Sequence, residues 1–282
     1  MKTQSVDTSF EAERVQIDLL RQATASQRFS LVRSLSQTTI QLARRAIRRA
    51  HPDGGDQEAL LLFAAVHYGQ ELADRLRLRL TGEATMTAPD ILAALTPVVE
   101  AFEQIGIAYQ IGGSVASSVY GLARATLDID LVADLNFDQV RSLVAWLQYD
   151  YYIDEEAARD AVQRRSSFNL VHQRTALKVD VFLPKARPYD QEAFRRARQN
   201  TLEETESARE FSLASAEDVI LNKIEWYAQG GRVSDRQWND VLGVMKVQSD
   251  SLDLAYLRRW ANELGLSNLL DLALCEAGID KA

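Results

Sequence analysis

Cysteine is nearly absent from this 282-residue chain. The single one, Cys275, excludes an internal disulfide framework. With only three scattered histidines beside it, neither a zinc cluster nor a Cys–His nucleophile is available. Long apolar runs are lacking as well, since the longest, Ala59 to His67, is too short to cross a bilayer. Met1 to Thr8 carry no apolar signal-peptide core, so a cytoplasmic location is expected. No internal repeat, coiled-coil heptad or low-complexity tract appears. Positive charge is in deficit too. The net charge of −8 argues against a large nucleic-acid footprint, which needs a basic patch.

What is present is apolar residue, 46% of the chain, enough for a sizeable core and two domains. Charge divides along the chain, with residues 1–82 at +3 and residues 83–282 at −11, summing to −8. Local basic groups remain in the acidic part: Arg164 and Arg165, then Arg195, Arg196 and Arg198. They are candidates for holding an RNA end, against the commoner reading of solvated helix faces.

The chemistry concentrates between Ile107 and Asp134. Gly112, Gly113 and Ser114 follow an apolar strand-like run and open a helix, where backbone donors and the helix dipole favour an anion. Asp128 and Asp130 then alternate with Leu127, Ile129 and Leu131. Period two sets both carboxylates on one strand face. Paired carboxylates repel unless a cation lies between them, and a hard divalent ion such as Mg²⁺ takes oxygen ligands shared with substrate phosphates. Arg124 and Thr126 fall on the same face if the strand begins early, as phosphate contacts or, for Arg124, as a neutraliser of the acids.

A third acid repeats the pattern. Asp180 is the only acid between Ala176 and Leu183 and shares a face with Lys178 and Phe182. An acid inside an apolar strand is costly to bury unless it is paired or ligates a metal. Asp128, Asp130 and Asp180 are therefore expected to converge on one or two metal ions.

Gly-Gly-Ser, Asp-x-Asp and the later Val-Asp-Val-Phe strand together resemble the DNA polymerase beta-type nucleotidyltransferase superfamily, closest to its AbiEii-type toxin branch. The resemblance covers residues 89–190 and continues weakly to about 275. It implies an α+β fold: a minimal nucleotidyltransferase core, with a mixed sheet flanked by helices, an N-terminal helical bundle and a C-terminal helical region. It makes Ser114 a triphosphate ligand, Asp128 and Asp130 metal ligands, and Asp180 the acid that activates the acceptor hydroxyl. Lys223 and Asp240 match the helical Lys and downstream Asp of the AbiEii branch. Lys223 lies at the edge of an apolar stripe, where a lysine usually snorkels to solvent. Asp235 and Asp240 also suit a helix cap.

The chain divides into an N-terminal helical domain (1–82), a catalytic core (83–210) and a C-terminal helical region (211–282). Helices are expected at Phe10–Ala23, Ser26–Ala50 and Gln57–Leu80, the second ending in basic residues Arg44, Arg45, Arg48 and Arg49 before a Pro-Gly-Gly stop. A linker runs from Thr81 to Pro89. Within the core the pattern predicts a helix over 88–105 broken near Pro97, strands over 108–111 and 127–133, and a helix over 114–121 between them. A hairpin over 168–182 carries Asp180. Ser215-Ala-Glu-Asp218 opens the last helical region. The N-terminal helices are expected to pack on the catalytic part or on a second copy, as scaffold, inhibitor or antitoxin-binding surface.

The resulting expectation is a Mg²⁺-dependent nucleotidyltransferase that takes an NTP and modifies a tRNA end or a protein hydroxyl. The alternatives are an antibiotic-modifying transferase and an inactive nucleotide-binding or interaction protein. Retention of Asp128, Asp130 and Asp180 opposes the inactive reading.

Overall fold

The computed structural model describes residues 3, 7–79, 87–205 and 207–279. Most of the expected linker, residues 81–86, lies outside the described residues. The chain forms two compact units, each assembled from separated stretches. One contains Met1–Val32, Gln110–Arg124 and Ala186–Ala282, and the other Arg33–Tyr109 and Ala125–Lys185.

The helices before the first strand are α1 (Phe10–Gln22), α2 (Ala25–Ala50), α3 (Asp56–Tyr68), α4 (Gln70–Arg79) and α5 (Ile91–Ile105). Then come β1 (Tyr109–Ile111), α6 (Gly113–Tyr120), β2 (Asp128–Ala133), α7 (Val140–Leu147), β3 (Tyr151–Ile153) and α8 (Glu155–Arg164). The hairpin is β4 (Ser167–His172) and β5 (Lys178–Phe182), followed by α9 (Pro188–Arg195), β6 (Arg198–Thr201) and β7 (Glu210–Leu213). Helices α10 (Ala216–Gln229), α11 (Asp235–Gln248), α12 (Leu254–Glu263) and α13 (Ser267–Ala277) complete the chain. The expected α+β class holds, with mixed sheet flanked by helices.

In the first unit β1 runs parallel to β7, and β6 runs antiparallel to β7. Its core joins α10 to α13 through Ile220, Ile224, Leu242, Met245, Leu257 and Leu270. Ser215 caps α10 as its sequence predicts, its hydroxyl accepting from the Asp218 amide at 3.2 Å. Gly121 ends α6 where a Cβ would lie 2.7 Å from the Val244 nitrogen, so only glycine lets α6 approach α11 this closely.

The second unit orders its strands β3-β4-β5-β2, antiparallel except for the parallel β5–β2 pair. Ile129, Leu131, Val179 and Val181 are buried, whereas Asp128, Asp130, Lys178 and Asp180 on the opposite face are only partly so. Helix α5 runs unbroken through Pro97, contrary to the expected break, although Pro97 has no N–H to give the Ala93 carbonyl. The expected helix over 57–80 is instead two, because Gly69 sits at φ +96° and ends α3.

The N-terminal helices pack within the chain, one of the two arrangements expected. Ile17 and Leu20 of α1 meet Val247 of α11, and Glu13 forms a buried ion pair with Lys246 at 3.1 Å. Leu61, Ala64, Ala73 and Leu76 of α3 and α4 pack with Tyr152 and Val171. Of the basic end of α2, Arg48 pairs with Asp56 at 2.6 Å. Arg44 turns inward and donates to the carbonyls of Thr87 and Thr175. Burial, then the neighbouring Arg48 charge, pulls its pKa down to about 10.

His172 is the buried titratable group with the clearest consequence. Its Nδ1 lies 2.7 Å from the Thr175 hydroxyl, and its ring packs against Tyr151. Burial, reinforced by the Arg174 charge, lowers its pKa from 6.5 to about 4. A histidine with a depressed folded pKa stabilises fully above its unfolded value and loses that contribution as pH falls from 6.5 toward 4. Urea midpoints at pH 7 and pH 4.5 are expected to differ less for His172→Gln than for the wild type. Equal differences would show that another group sets acid sensitivity.

Candidate active site

The candidate side chains gather in two clusters, one in each unit. In the first, α6 begins at Gly113, in the left-handed region at φ +51°, and no side chain caps that N-terminus. Ser114 lies in its first turn, and the Ser114 hydroxyl accepts from an Arg124 guanidinium nitrogen at 2.6 Å. Arg124 also donates to both Asp240 oxygens, at 2.8 and 2.9 Å. Lys223 of α10 donates to the same carboxylate at 2.6 Å. Burial by itself pushes the Asp240 carboxyl up, but the Arg124 hydrogen bond and the Lys223 and Arg124 charges outweigh it and hold its pKa below 3.8.

Three sequence expectations change here. Strand β2 starts at Asp128, so Arg124 is not on its face and reaches α11 instead. Lys223 does not snorkel: it is 9% exposed, because Asp240, seventeen residues along the chain, supplies a buried counter-charge. Asp240 is no cap, since Ser234 caps α11.

A cavity of about 440 Å³ opens beside this cluster, lined by Arg124, Asp240, Asn239 and Arg236. Thr8, Glu13 and Gln16 also line it, so α1 and the residue preceding its cap help to shape it. Nothing in the N-terminal sequence announced that contribution.

The second cluster lies on β2 and β5. Asp130 is directly opposite Asp180, and Asp128 is opposite Lys178. The Thr126 hydroxyl donates to Asp128 at 2.9 Å, which makes Thr126 a buried partner of the acid. Lys178 Nζ lies 2.7 Å from Asp180 Oδ2. Burial raises the Asp180 pKa; the Lys178 hydrogen bond and charge oppose the rise, and the Asp128 charge adds to it. The Tyr68 hydroxyl lies 2.9 Å from both the Leu127 and Ala176 carbonyls, tying together the two strand entries.

The three carboxylates share a face. Among the described residues no group of three His, Cys, Asp or Glu side chains is placed to hold a metal ion. Asp180 has a positive partner in Lys178. The donor chemistry still fits a hard divalent cation, since Asp128 and Asp130 present carboxylate oxygens on a half-buried face.

Four of the five arginines considered for RNA are engaged locally. Arg164 pairs with Asp160, Arg165 with the Pro184 carbonyl, and Arg195 with Glu192. Arg196 bonds Glu217 and stacks 3.8 Å from the Tyr256 ring centroid. Among the described residues no helix is long and apolar enough to cross a membrane.

No protein-family profile and no curated protein sequence matches this chain. Several solved structures resemble it. One is an antigenic nucleotidyltransferase-like protein from Paracoccidioides brasiliensis, with TM-score 0.38 and 18% identity over 64% of this chain and 91% of that one. Another is the antibiotic-resistance factor ANT(2'')-Ia in solution, with TM-score 0.41 and 13% identity over 64% of this chain and 94% of that one. The functional reading rests on the residues.

Proposed function

We propose that the chain is a divalent-metal-dependent nucleotidyltransferase, moving a nucleoside monophosphate from an NTP to an acceptor hydroxyl. The observation that carries this reading is the in-register Asp130–Asp180 pair beside Asp128 on one half-buried strand face. Mg²⁺ held by Asp128 and Asp130 would neutralise phosphate charge and polarise the reacting oxygens.

The other parts follow from the residues of the chain. Ser114 and the uncapped N-terminus of α6 bind the triphosphate, aided by Gly112 and Gly113. Arg124 orients the Ser114 hydroxyl, and Asp240, which Lys223 also bonds, holds Arg124 in place. Asp180 receives the acceptor proton as the new oxygen–phosphorus bond forms and the bond to the leaving pyrophosphate breaks. Positioning and charge complementarity do the work, without a covalent intermediate. The cavity beside Arg124 suits a small ligand, and α1 walls it as a structural element rather than a detachable inhibitor.

By resemblance to the toxin branch, the acceptor is a tRNA 3′ end or a protein hydroxyl. Each labelled NTP, incubated with Mg²⁺ and either total RNA, lysate protein or a panel of hydroxyl-bearing antibiotics, tests the reading. Label is expected in RNA or protein, with pyrophosphate released. Label in an antibiotic would move the acceptor class, and no pyrophosphate from any NTP would overturn the proposal.

A further inference from the structure

On the half-buried face of β2 and β5, four charged side chains form a square: Asp128 and Asp130 on one strand, Lys178 and Asp180 on the other. Lys178 is its only cation. Its ammonium lies 2.7 Å from Asp180, with the two side chains 20% and 16% exposed, so the pair is largely shielded from water. The Lys178 ammonium also lies 5.6 Å from the centroid of the Tyr68 ring. Tyr68 is fixed by its hydroxyl at the Leu127 and Ala176 carbonyls, so the ring is a rigid support for the lysine. The lysine is thus held against the one acid whose approach would complete a three-carboxylate site.

We propose that Lys178 is a resident cation that occupies Asp180 and sets the metal affinity of the Asp128–Asp130 pair. The inference rests on the metal-dependent reading above and assigns it a new residue. A fixed positive charge on the face that binds a divalent cation repels that cation, and it also withholds Asp180 as a ligand. Both effects weaken binding, and both vanish when the charge is removed. At separations of a few ångströms near a protein surface, one charge against two alters affinity by at least about tenfold.

Lys178→Met keeps the aliphatic stem against Tyr68 and deletes only the charge. Mn²⁺ binding to the full chain, followed by electron paramagnetic resonance and calorimetry, is expected to tighten at least about tenfold in this variant. Lys178→Arg retains the charge and is expected to bind Mn²⁺ as the wild type does. Without metal the Met variant should melt below the wild type, and saturating Mn²⁺ should raise its melting temperature by more. Lys178→Gln provides the same comparison if the Met variant does not fold. Asp128→Asn locates the binding, because it should abolish it in either background. Unchanged or weaker Mn²⁺ affinity in folded Lys178→Met or Lys178→Gln, with normal binding by the wild type, overturns the role of Lys178 alone. Absence of Mn²⁺ binding by both wild type and variants overturns the metal-dependent reading as well.

Discussion

Asp128→Asn is expected to lower nucleotidyl transfer by a factor on the order of 10²–10³ or more, the scale on which removal of one preorganised electrostatic partner acts. The fold should survive. Asp128 lies on a half-buried face and accepts from the Thr126 hydroxyl at 2.9 Å, a bond that an asparagine oxygen accepts equally well. Replacing one of three neighbouring carboxylates also relieves repulsion. Thermal stability measured without divalent metal should therefore hold or rise, while the stabilisation by added Mg²⁺ should shrink. Pyrophosphate release and melting curves on the same preparation separate the two effects. A folded variant that turns over NTP at the wild-type rate would make Asp128 a structural acid.

Period two made the acid strands readable before any coordinates. Ile129, Leu131, Val179 and Val181 demanded a buried face, which left Asp128, Asp130, Lys178 and Asp180 on the other. The Gly112–Gly113–Ser114 turn was readable for a similar reason, since a strand must end there and a helix begin. The path of Arg124 was not readable, because extending the period backwards assumes a strand that in fact starts at Asp128. Lys223 showed only its apolar neighbours; Asp240, its partner, sits on the next helix. Strand β6, Arg-Gln-Asn-Thr, went unforeseen because it has no apolar alternation and takes its place by pairing with β7. The Glu13–Lys246 pair spans 233 positions, a distance over which no local pattern carries information. The shared face of the three acids was legible, but the Lys178 ammonium that lies 2.7 Å from Asp180 was not singled out as its partner.

The largest stability effect is expected at Asp240. Its side chain is 6% exposed and is shared by two cations, Arg124 in a two-pronged contact and Lys223 at 2.6 Å. Asp240→Ala removes the carboxylate that both share, and breaking such a buried arrangement costs about 3–5 kcal/mol. For a chain of this size that lowers Tm by roughly 6–20 °C. Asp240→Asn keeps the hydrogen-bond acceptor but not the charge, and should fall between the two. The pH dependence has a fixed sign. A carboxyl with a folded pKa depressed below 3.8 gives its full stabilisation above that value and loses it as pH falls through the folded pKa. The stability gap between wild type and Asp240→Ala should therefore be constant near neutrality and narrow only below about pH 4. Transfer should fall with it, since Arg124 would no longer be held against Ser114. Denaturant melts at pH 7 and pH 3.5, with transfer measured well below the melting temperature, separate these effects. Wild-type stability at pH 7 together with lost transfer would make Asp240 a direct participant in the reaction, not the anchor of Arg124 and Lys223.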